Sequence, residues 1–561
     1  MATKQSRRQR RKAAPGKEPS LVRQARDAQA PVLAETRPRS DAAVLALAAR
    51  HPPELVIGLV GAVGTDLSAV TDALLEQLQS EVNYVGRHIR LSDLVHEVEG
   101  LNTPLSASAP LDKRYEQHMK AGTELRNRLE SSDAMALLGV RAIRELRKRM
   151  VKTASPKERR AYIIHSLKRR EEAETLRRIY GASFYLVAAY APREHRVASL
   201  AGRISRSHFQ VRTRDFRAVA EKLVVDDEKE RLESRGQNVE SVFPEADAFL
   251  DTTNPARLKD GVRRFIRILF GDRFLTPTRD EQGMFFAKAA ALRSSALGRQ
   301  VGAAIMTEDG QVLVTGTNEV PRAHGGLYWD GDADDGRDFT KGYDVSDQHK
   351  RDVVGEALVR LQKEKWLEKR FAELGGPELV KMALGEAGNK DAPLKGSRMM
   401  DSLEFMRPVH AEMATVTEAA RRGVAVQGQT AFVTTFPCHG CARHLVSAGI
   451  ARVVYIDPYP KSLAGELHGD AISVEGSQSE SRRIPFEPFI GIAPRRYMAF
   501  FEMREERKGP DGKIVQFAGP GATLRLKESI LTYYETEVGE IARFRKQMTE
   551  AGLSERRPHS K

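Results

Sequence analysis

Cysteine is nearly absent from this chain, with two in 561 residues. That excludes a disulfide framework, and a reducing, cytoplasmic setting is expected. Long apolar runs are missing too: none approaches the ~18 residues that a membrane helix needs. The basic start is followed by no apolar stretch, so no secretory signal is expected. There is no internal repeat, which excludes solenoids and propellers. Acidic residues are the minority, and the net charge of +14 is unevenly spread. Residues 1–40 hold eleven basic residues (among them Arg7, Arg8, Arg10, Arg11 and Lys12) against Glu18, Asp27 and Glu35. This tail carries more than half of the net charge. It reads as a solvated disordered segment, as an arm for RNA or another anion, or, through the run Arg7–Lys12, as a targeting signal.

The length prior suggests three or four domains, at about 150 residues each; the pattern supports two folded ones with ragged ends. Residues 1–50 are a basic tail with a short helix at 41–47. The apolar run Leu55–Val60 predicts a buried parallel strand that ends in a glycine turn. Leu67, Val70, Leu74, Leu75 and Leu78 then mark one face of a helix over 66–80. Strands are expected at Arg87–Leu91 and Phe184–Tyr190, with a charged helix at 167–179. This alternation predicts a parallel α/β domain over 51–274. A second domain is expected over 275–505. It opens with a helix at 283–298 and a hairpin, Val301–Met306 and Val312–Thr317, turned by Glu308-Asp309-Gly310-Gln311. A long insertion, 319–407, holds an acidic loop (Asp330, Asp332, Asp334, Asp335, Asp338) and a charged helix near 347–374. Beyond it come a helix from His410, a strand at 431–435, a helix from Cys438 and a strand at 452–456. That order suits a three-layer α/β/α sheet. Residues 506–561 read as a charged extension with an amphipathic helix at 527–548.

The two cysteines lie together in Pro437-Cys438-His439-Gly440-Cys441, 24 residues after His410-Ala411-Glu412. His-x-Glu followed by Pro-Cys-x-x-Cys is the signature of zinc deaminases. His410, Cys438 and Cys441 supply three ligands for a catalytic zinc and leave a fourth position open to water. Positions 438 and 441 face the same way in a helical turn. Pro437 favours a helix start there, where free backbone N–H groups help ionise a thiol. His410 and Glu412 serve one site only if they too lie in a first turn. Glu412 is the proton shuttle, not a ligand. A redox dithiol lacks its thioredoxin-like flank here. A closed structural zinc with His444 as fourth ligand leaves Glu412 without a role.

Thr434-Thr435-Phe436-Pro437-Cys438-His439-Gly440-Cys441-Ala442, with Val453-Val454-Tyr455 and Arg299-Gln300-Val301-Gly302-Ala303, resembles the deoxycytidylate deaminases. The whole layout resembles the two-domain anti-phage nucleotide deaminases, in which a P-loop kinase-like domain precedes a deoxycytidylate deaminase domain. Gly61-Ala62-Val63-Gly64-Thr65-Asp66, Tyr328-Trp329-Asp330-Gly331-Asp332 and Pro458-Tyr459-Pro460-Lys461-Ser462 carry that likeness. The resemblance implies conversion of dCTP and dCMP to dUTP and dUMP, starving phage replication, with zinc as cofactor. It also implies an inhibitory small RNA in some members, assembly into homo-oligomers, and Asn318 on the deoxyribose. Two other classes stay open: a nucleic-acid-editing deaminase that uses the basic tail, and a regulatory protein that senses a nucleotide or RNA.

Aligned on Gly61, a phosphate-binding Gly-x-x-x-x-Gly-Lys-Ser/Thr motif meets Asp66 at its second glycine, Leu67 at its lysine and Ser68 at its hydroxyl. Without the lysine, phosphoryl transfer is not expected. Gly61, Gly64, Thr65 and Ser68 remain candidate contacts to a nucleotide, and a purely structural role fits them equally. The acidic loop suits either solvation or the Mg²⁺ of a nucleotide. Trp329 is expected to be buried, with base stacking as the alternative. Arg293, Arg299 and Lys461 are surface charges or phosphate contacts.

Overall fold

The computed structural model describes residues 53–106, 108–150, 158–209, 216–230, 233–385, 392–458, 462–475, 482–526 and 530–556. The basic tail, the helix at 41–47 and Tyr459-Pro460-Lys461 lie outside the described residues.

The first apolar run forms β1 (Leu55–Val60), every residue of it buried. Unbroken burial is what a parallel strand covered on both faces requires. The chain continues through α1 (Leu67–Val82), β2 (Tyr84–Arg90), β3 (Val98–Glu99), α2 (Leu111–Arg128), α3 (Ala134–Met150) and β4 (Arg159–His165). Then come α4 (Arg170–Tyr180), β5 (Phe184–Tyr190), α5 (Arg193–Ser207), α6 (Arg217–Glu228), β6 (Ala248–Asp251) and α7 (Pro255–Leu269). The strands pair in parallel in the order β6-β5-β1-β4-β2, which bears out the parallel α/β expectation. Asp66, aligned above with a motif glycine, is the N-cap of α1: its carboxylate accepts the Ala69 N–H at 3.0 Å.

The second half begins with α8 (Arg279–Ala291), whose Thr278 and Glu281 form a capping box. The hairpin forms as predicted, from β7 (Gly302–Met306) and β8 (Val312–Thr317). The insertion helix α9 spans Val345–Lys363, shorter than the charge pattern suggested. Lys365 turns to positive φ, and the Trp366 N–H returns to the Leu361 carbonyl, which closes the helix. Then follow α10 (Ala411–Arg422), β9 (Thr430–Thr435), α11 (His439–Ser447), β10 (Arg452–Asp457), β11 (Ile472–Val474) and β12 (Ile484–Pro488). Their sheet runs β11-β12-β10-β9-β7-β8. Alternate residues divide its two faces. Ala304, Met306, Phe432 and Val454 pack with Met284 and Ala287 of α8. Ala303, Ile305, Ala431 and Val433 pack with Ala411, Ala442 and Leu445 of α10 and α11. This is the expected three-layer arrangement.

Later segments return to the first half. β13 (Gly491–Ile492) pairs antiparallel with β6, and β14 (Ser554–Glu555) with β3. Between them, α12 (Ile530–Glu550) brings Glu537 to Arg147, with Nη1 2.6 Å from Oε2. Arg147 also holds Glu54 at 2.7 Å, and all three side chains are buried. Arg264 grips both oxygens of the buried Glu281 at 2.7 and 2.9 Å, which ties α7 to α8. Elements thus cross both expected boundaries, at 274/275 and 505/506.

Candidate active site

The site is built on two helix starts side by side. His410 is the N-cap of α10, in an extended backbone conformation, and Glu412 is the second residue of its first turn. Cys438 is the N-cap of α11, and Cys441 lies one turn on. This geometry lets residues two apart serve one centre: an N-cap side chain diverges from the helical screw, so His410 and Glu412 need not face apart. Gly316 on β8 allows α10 to lie close. A Cβ at Gly316 would stand 2.6 Å from the Ala411 carbonyl oxygen and 2.3 Å from Thr415 Oγ1. The Cys438 loop is fixed from behind, where the Phe436 N–H donates to the Asp457 carbonyl at 2.7 Å. Ser462 Oγ donates to the Pro437 carbonyl at 2.8 Å.

His410 Nδ1 lies 3.3 Å from each sulfur, Cys438 Sγ and Cys441 Sγ. Among the described residues these three form the group of His, Cys and carboxylate side chains able to hold a metal ion. His444 is not part of it, so a closed four-ligand site finds no support. Zinc bonded to sulfur at about 2.3 Å and to nitrogen at about 2.0 Å, at tetrahedral angles, sets nitrogen–sulfur separations of about 3.5 Å. The three ligands therefore fit zinc with a small outward relaxation. The Cys441 N–H points at Cys438 Sγ from 3.4 Å, as a helix start does for a thiolate. Hydrogen bonding from Cys441 first, and from His410 after it, pushes the Cys438 thiol down; its bond to Cys438 and burial push Cys441 up. Hydrogen bonding to Cys438 raises His410.

Glu412 is 5 % exposed, and its carboxylate meets the Cys441 thiol. Burial pushes its carboxyl above the usual range. A carboxylate held dry beside a metal position can accept and return a proton.

The remaining candidates are not part of the metal-binding group. Asn318 spans the start of β7: Nδ2 donates to the Arg299 carbonyl at 2.7 Å, and Oδ1 accepts the Val301 N–H at 2.7 Å. Gly61, Gly64, Thr65 and Ser68 line a separate cavity in the first half. Trp329, expected inside, is 57 % exposed, with the Arg293 guanidinium stacked 3.5 Å from its ring centre. The acidic loop is largely self-satisfied. Asp335 makes a two-pronged pair with Arg337, Asp338 pairs with Arg407, and Asp332 caps the Trp329 N–H at 2.9 Å. Arg299 pairs with Asp457 at 3.1 Å. The sequence reading missed Met406, whose sulfur lies 3.2 Å from His410 Nε2. No sequence signal marks it, because the segment between Met406 and His410 is not helical.

Comparison with known proteins falls on the same region. Residues 277–457, about a third of the chain, match the family model described as the cytidine and deoxycytidylate deaminase zinc-binding region. The deoxycytidylate deaminase of Enterobacteria phage T4 is 39% identical over 57 residues, 10% of this chain and 30% of that protein. A probable deoxycytidylate deaminase of Drosophila melanogaster is 33% identical over 119 residues, 19% of this chain and 58% of that protein. The chain thus spans from under a third to somewhat over half of these relatives. The crystal structure of the dCMP deaminase of cyanophage S-TIM5 in complex with dCMP and dUMP is 15% identical. It covers 38% of this chain and 99% of that one at a TM-score of 0.21, a likeness too low to carry weight.

Proposed function

We propose that the protein is a zinc-dependent deaminase of deoxycytidine nucleotides, converting dCMP, dCTP or both to the uracil nucleotide and ammonia. The observation that carries this reading is the convergence of His410, Cys438 and Cys441 on one point beside a buried, non-ligating Glu412. The match of residues 277–457 to the deaminase zinc-binding region supports it.

His410 Nδ1 and the two sulfurs would hold zinc, which supplies Lewis acidity and lowers the pKa of a coordinated water to about 7. Glu412 takes a proton from the attacking water and delivers it to N3 of the cytosine as the C4–O bond forms. It then takes the proton of the new C4 hydroxyl and passes it to the amine as the C4–N4 bond breaks. Water is consumed, ammonia leaves and C4 becomes a carbonyl. One carboxylate serves both transfers because both occur around one carbon. The extended N-caps of α10 and α11 orient these groups with little freedom, since each is fixed by its own helix. Asn318 keeps one N–H and one lone pair beyond its backbone bonds, enough for a deoxyribose hydroxyl.

The wider role rests on the two-domain resemblance: depletion of dCTP during phage infection, regulation by a small RNA, assembly into homo-oligomers, and a nucleotide at the Gly61–Ser68 loop. The parallel sheet behind that loop agrees with a P-loop kinase-like origin for the first half. The test is to offer dCMP, dCTP, CTP, cytidine and a cytosine-containing oligonucleotide separately to the zinc-loaded protein. Uracil from dCMP or dCTP is the expected product. Uracil from the oligonucleotide alone refutes the proposal in favour of nucleic-acid editing.

A further inference from the structure

The Gly61–Ser68 loop joins β1 to α1 at the carboxyl end of a parallel sheet, where such sheets receive ligands. Here a loop donor is turned to a partner from within the chain. The Val63 N–H donates to Asp227 Oδ2 at 2.7 Å. Lys168 Nζ lies 2.7 Å from one oxygen of that carboxylate and 2.9 Å from the other. The same ammonium donates to the Gly61 carbonyl at 3.3 Å. Asp227 is fully buried. A carboxylate on a loop N–H, with an ammonium beside it, has the arrangement that a phosphate oxygen adopts at such a loop. Lys168, arriving after β4, supplies the cation that Leu67 does not.

The surroundings carry more positive charge than this pairing uses. A cavity of about 410 Å³ opens at the loop, lined by Arg90, Arg114, Arg126, Arg203 and Lys168 and by Asp66, Glu172 and Asp227. Each carboxylate is engaged: Asp66 caps α1, Glu172 holds Arg126 at 3.1 Å, and Asp227 holds Lys168. Arg90, Arg114 and Arg203 make no ion pair with a described residue. Thr65 Oγ1, Ser166 Oγ, Arg114 Nε and Arg203 Nε are buried with no hydrogen-bond partner among the described residues. Unused donors and unpaired guanidinium groups around one cavity call for an anion. Gly64 has φ +93° and lies close to α5, where a Cβ would stand 2.5 Å from the Arg196 carbonyl oxygen. The loop therefore has one shape, set by packing.

We infer that this cavity binds a phosphate-bearing anion in competition with the Asp227 carboxylate, which holds the loop donor and Lys168 when the anion is absent. The inference rests on reading Gly61–Ser68 as a phosphate-binding loop and adds the internal competitor and its cation. The helix that carries Asp227 also borders the second half. Asp227 sits on α6, and Val225 and Glu228 of that helix line a second cavity, of about 540 Å³. The opposite wall of that cavity includes Phe436, Tyr455 and Ser462. Phe436 is two residues from Cys438, and Ser462 holds the Pro437 carbonyl.

The experiment is titration calorimetry on the full chain with inorganic tripolyphosphate and with ATP, neither of which contains cytosine. Wild type is compared with Asp227→Asn and Arg203→Ala. Asparagine keeps an oxygen for the Val63 N–H, and thermal unfolding verifies that each variant is folded. Asp227→Asn is expected to bind tripolyphosphate about tenfold more tightly, and Arg203→Ala about tenfold more weakly, as gain or loss of one charge-assisted contact dictates. ATP binding beyond that of tripolyphosphate makes a nucleotide the ligand, and equal binding makes it the phosphate chain; both support the inference. Equal affinities for wild type and Asp227→Asn overturn the competition and leave the loop reading intact. No binding by any of the three overturns both.

Discussion

Glu412→Gln isolates the proton shuttle from the metal. Glutamine keeps the size of the side chain and one oxygen, but cannot take a proton from water. Glu412 is 5 % exposed, so bulk water cannot stand in for it. The polar groups around it, His410, Cys438 and Cys441, are those able to hold a metal ion. With no substitute base in reach, turnover falls by the full value of a positioned acid–base group, about 10²–10⁴-fold, or about 3–5.5 kcal/mol on the barrier. Zinc content is expected to stay at the wild-type level, because the ligand atoms are untouched. The assay follows uracil formation from dCMP and dCTP at saturating substrate and measures zinc by atomic emission on the same sample. Turnover within tenfold of wild type refutes the role of Glu412. Loss of zinc together with activity places Glu412 among the ligands and refutes the geometry.

Cys438→Ala removes one of two sulfurs and is expected to abolish both zinc retention and deamination; full zinc content in the purified variant contradicts the ligand set. Glu537→Ala leaves Arg147 buried with half of its compensation and is expected to cost about 3–5 kcal/mol; an unchanged denaturation midpoint shows that α12 is not held through this pair. Asp457 carries a pH signature. Burial pushes its carboxyl up to about 6 despite the Arg299 guanidinium. The folded chain therefore favours the protonated form, and the stability from this group is complete below the ordinary carboxylate range and lost as the pH rises through about 6. The melting-temperature difference between wild type and Asp457→Asn should shift between pH 4 and pH 7, and a constant difference refutes the assignment.

The elements legible in the sequence are those whose signal is local. Leu55–Val60 and Phe184–Tyr190 are apolar without interruption because helices cover both faces of their sheet. The hairpin at 302–317 announces itself through Asp309-Gly310, and α10 and α11 through the residues at their starts. Spacing brought His410, Cys438 and Cys441 to one point because a first helical turn converts sequence distance into direction. The charge pattern in the insertion runs past the end of its helix, because the αL turn at Lys365 has no glycine to mark it. Trp329 was read as buried because its stacking partner, Arg293, lies 36 residues away on the other side of the hairpin.

The residue types at 410, 412, 438 and 441 and their helix starts already point to a candidate metal site with a carboxylate beside it, since both depend on neighbours within one turn. Sequence could not show that Asp227 and Lys168 meet at Val63, that Glu537 closes on Arg147, or that β13 extends the first sheet. Each joins segments from 59 to 390 residues apart. Such pairings leave no periodicity along the chain, and they form because a charge taken out of water needs a partner wherever the fold brings one near.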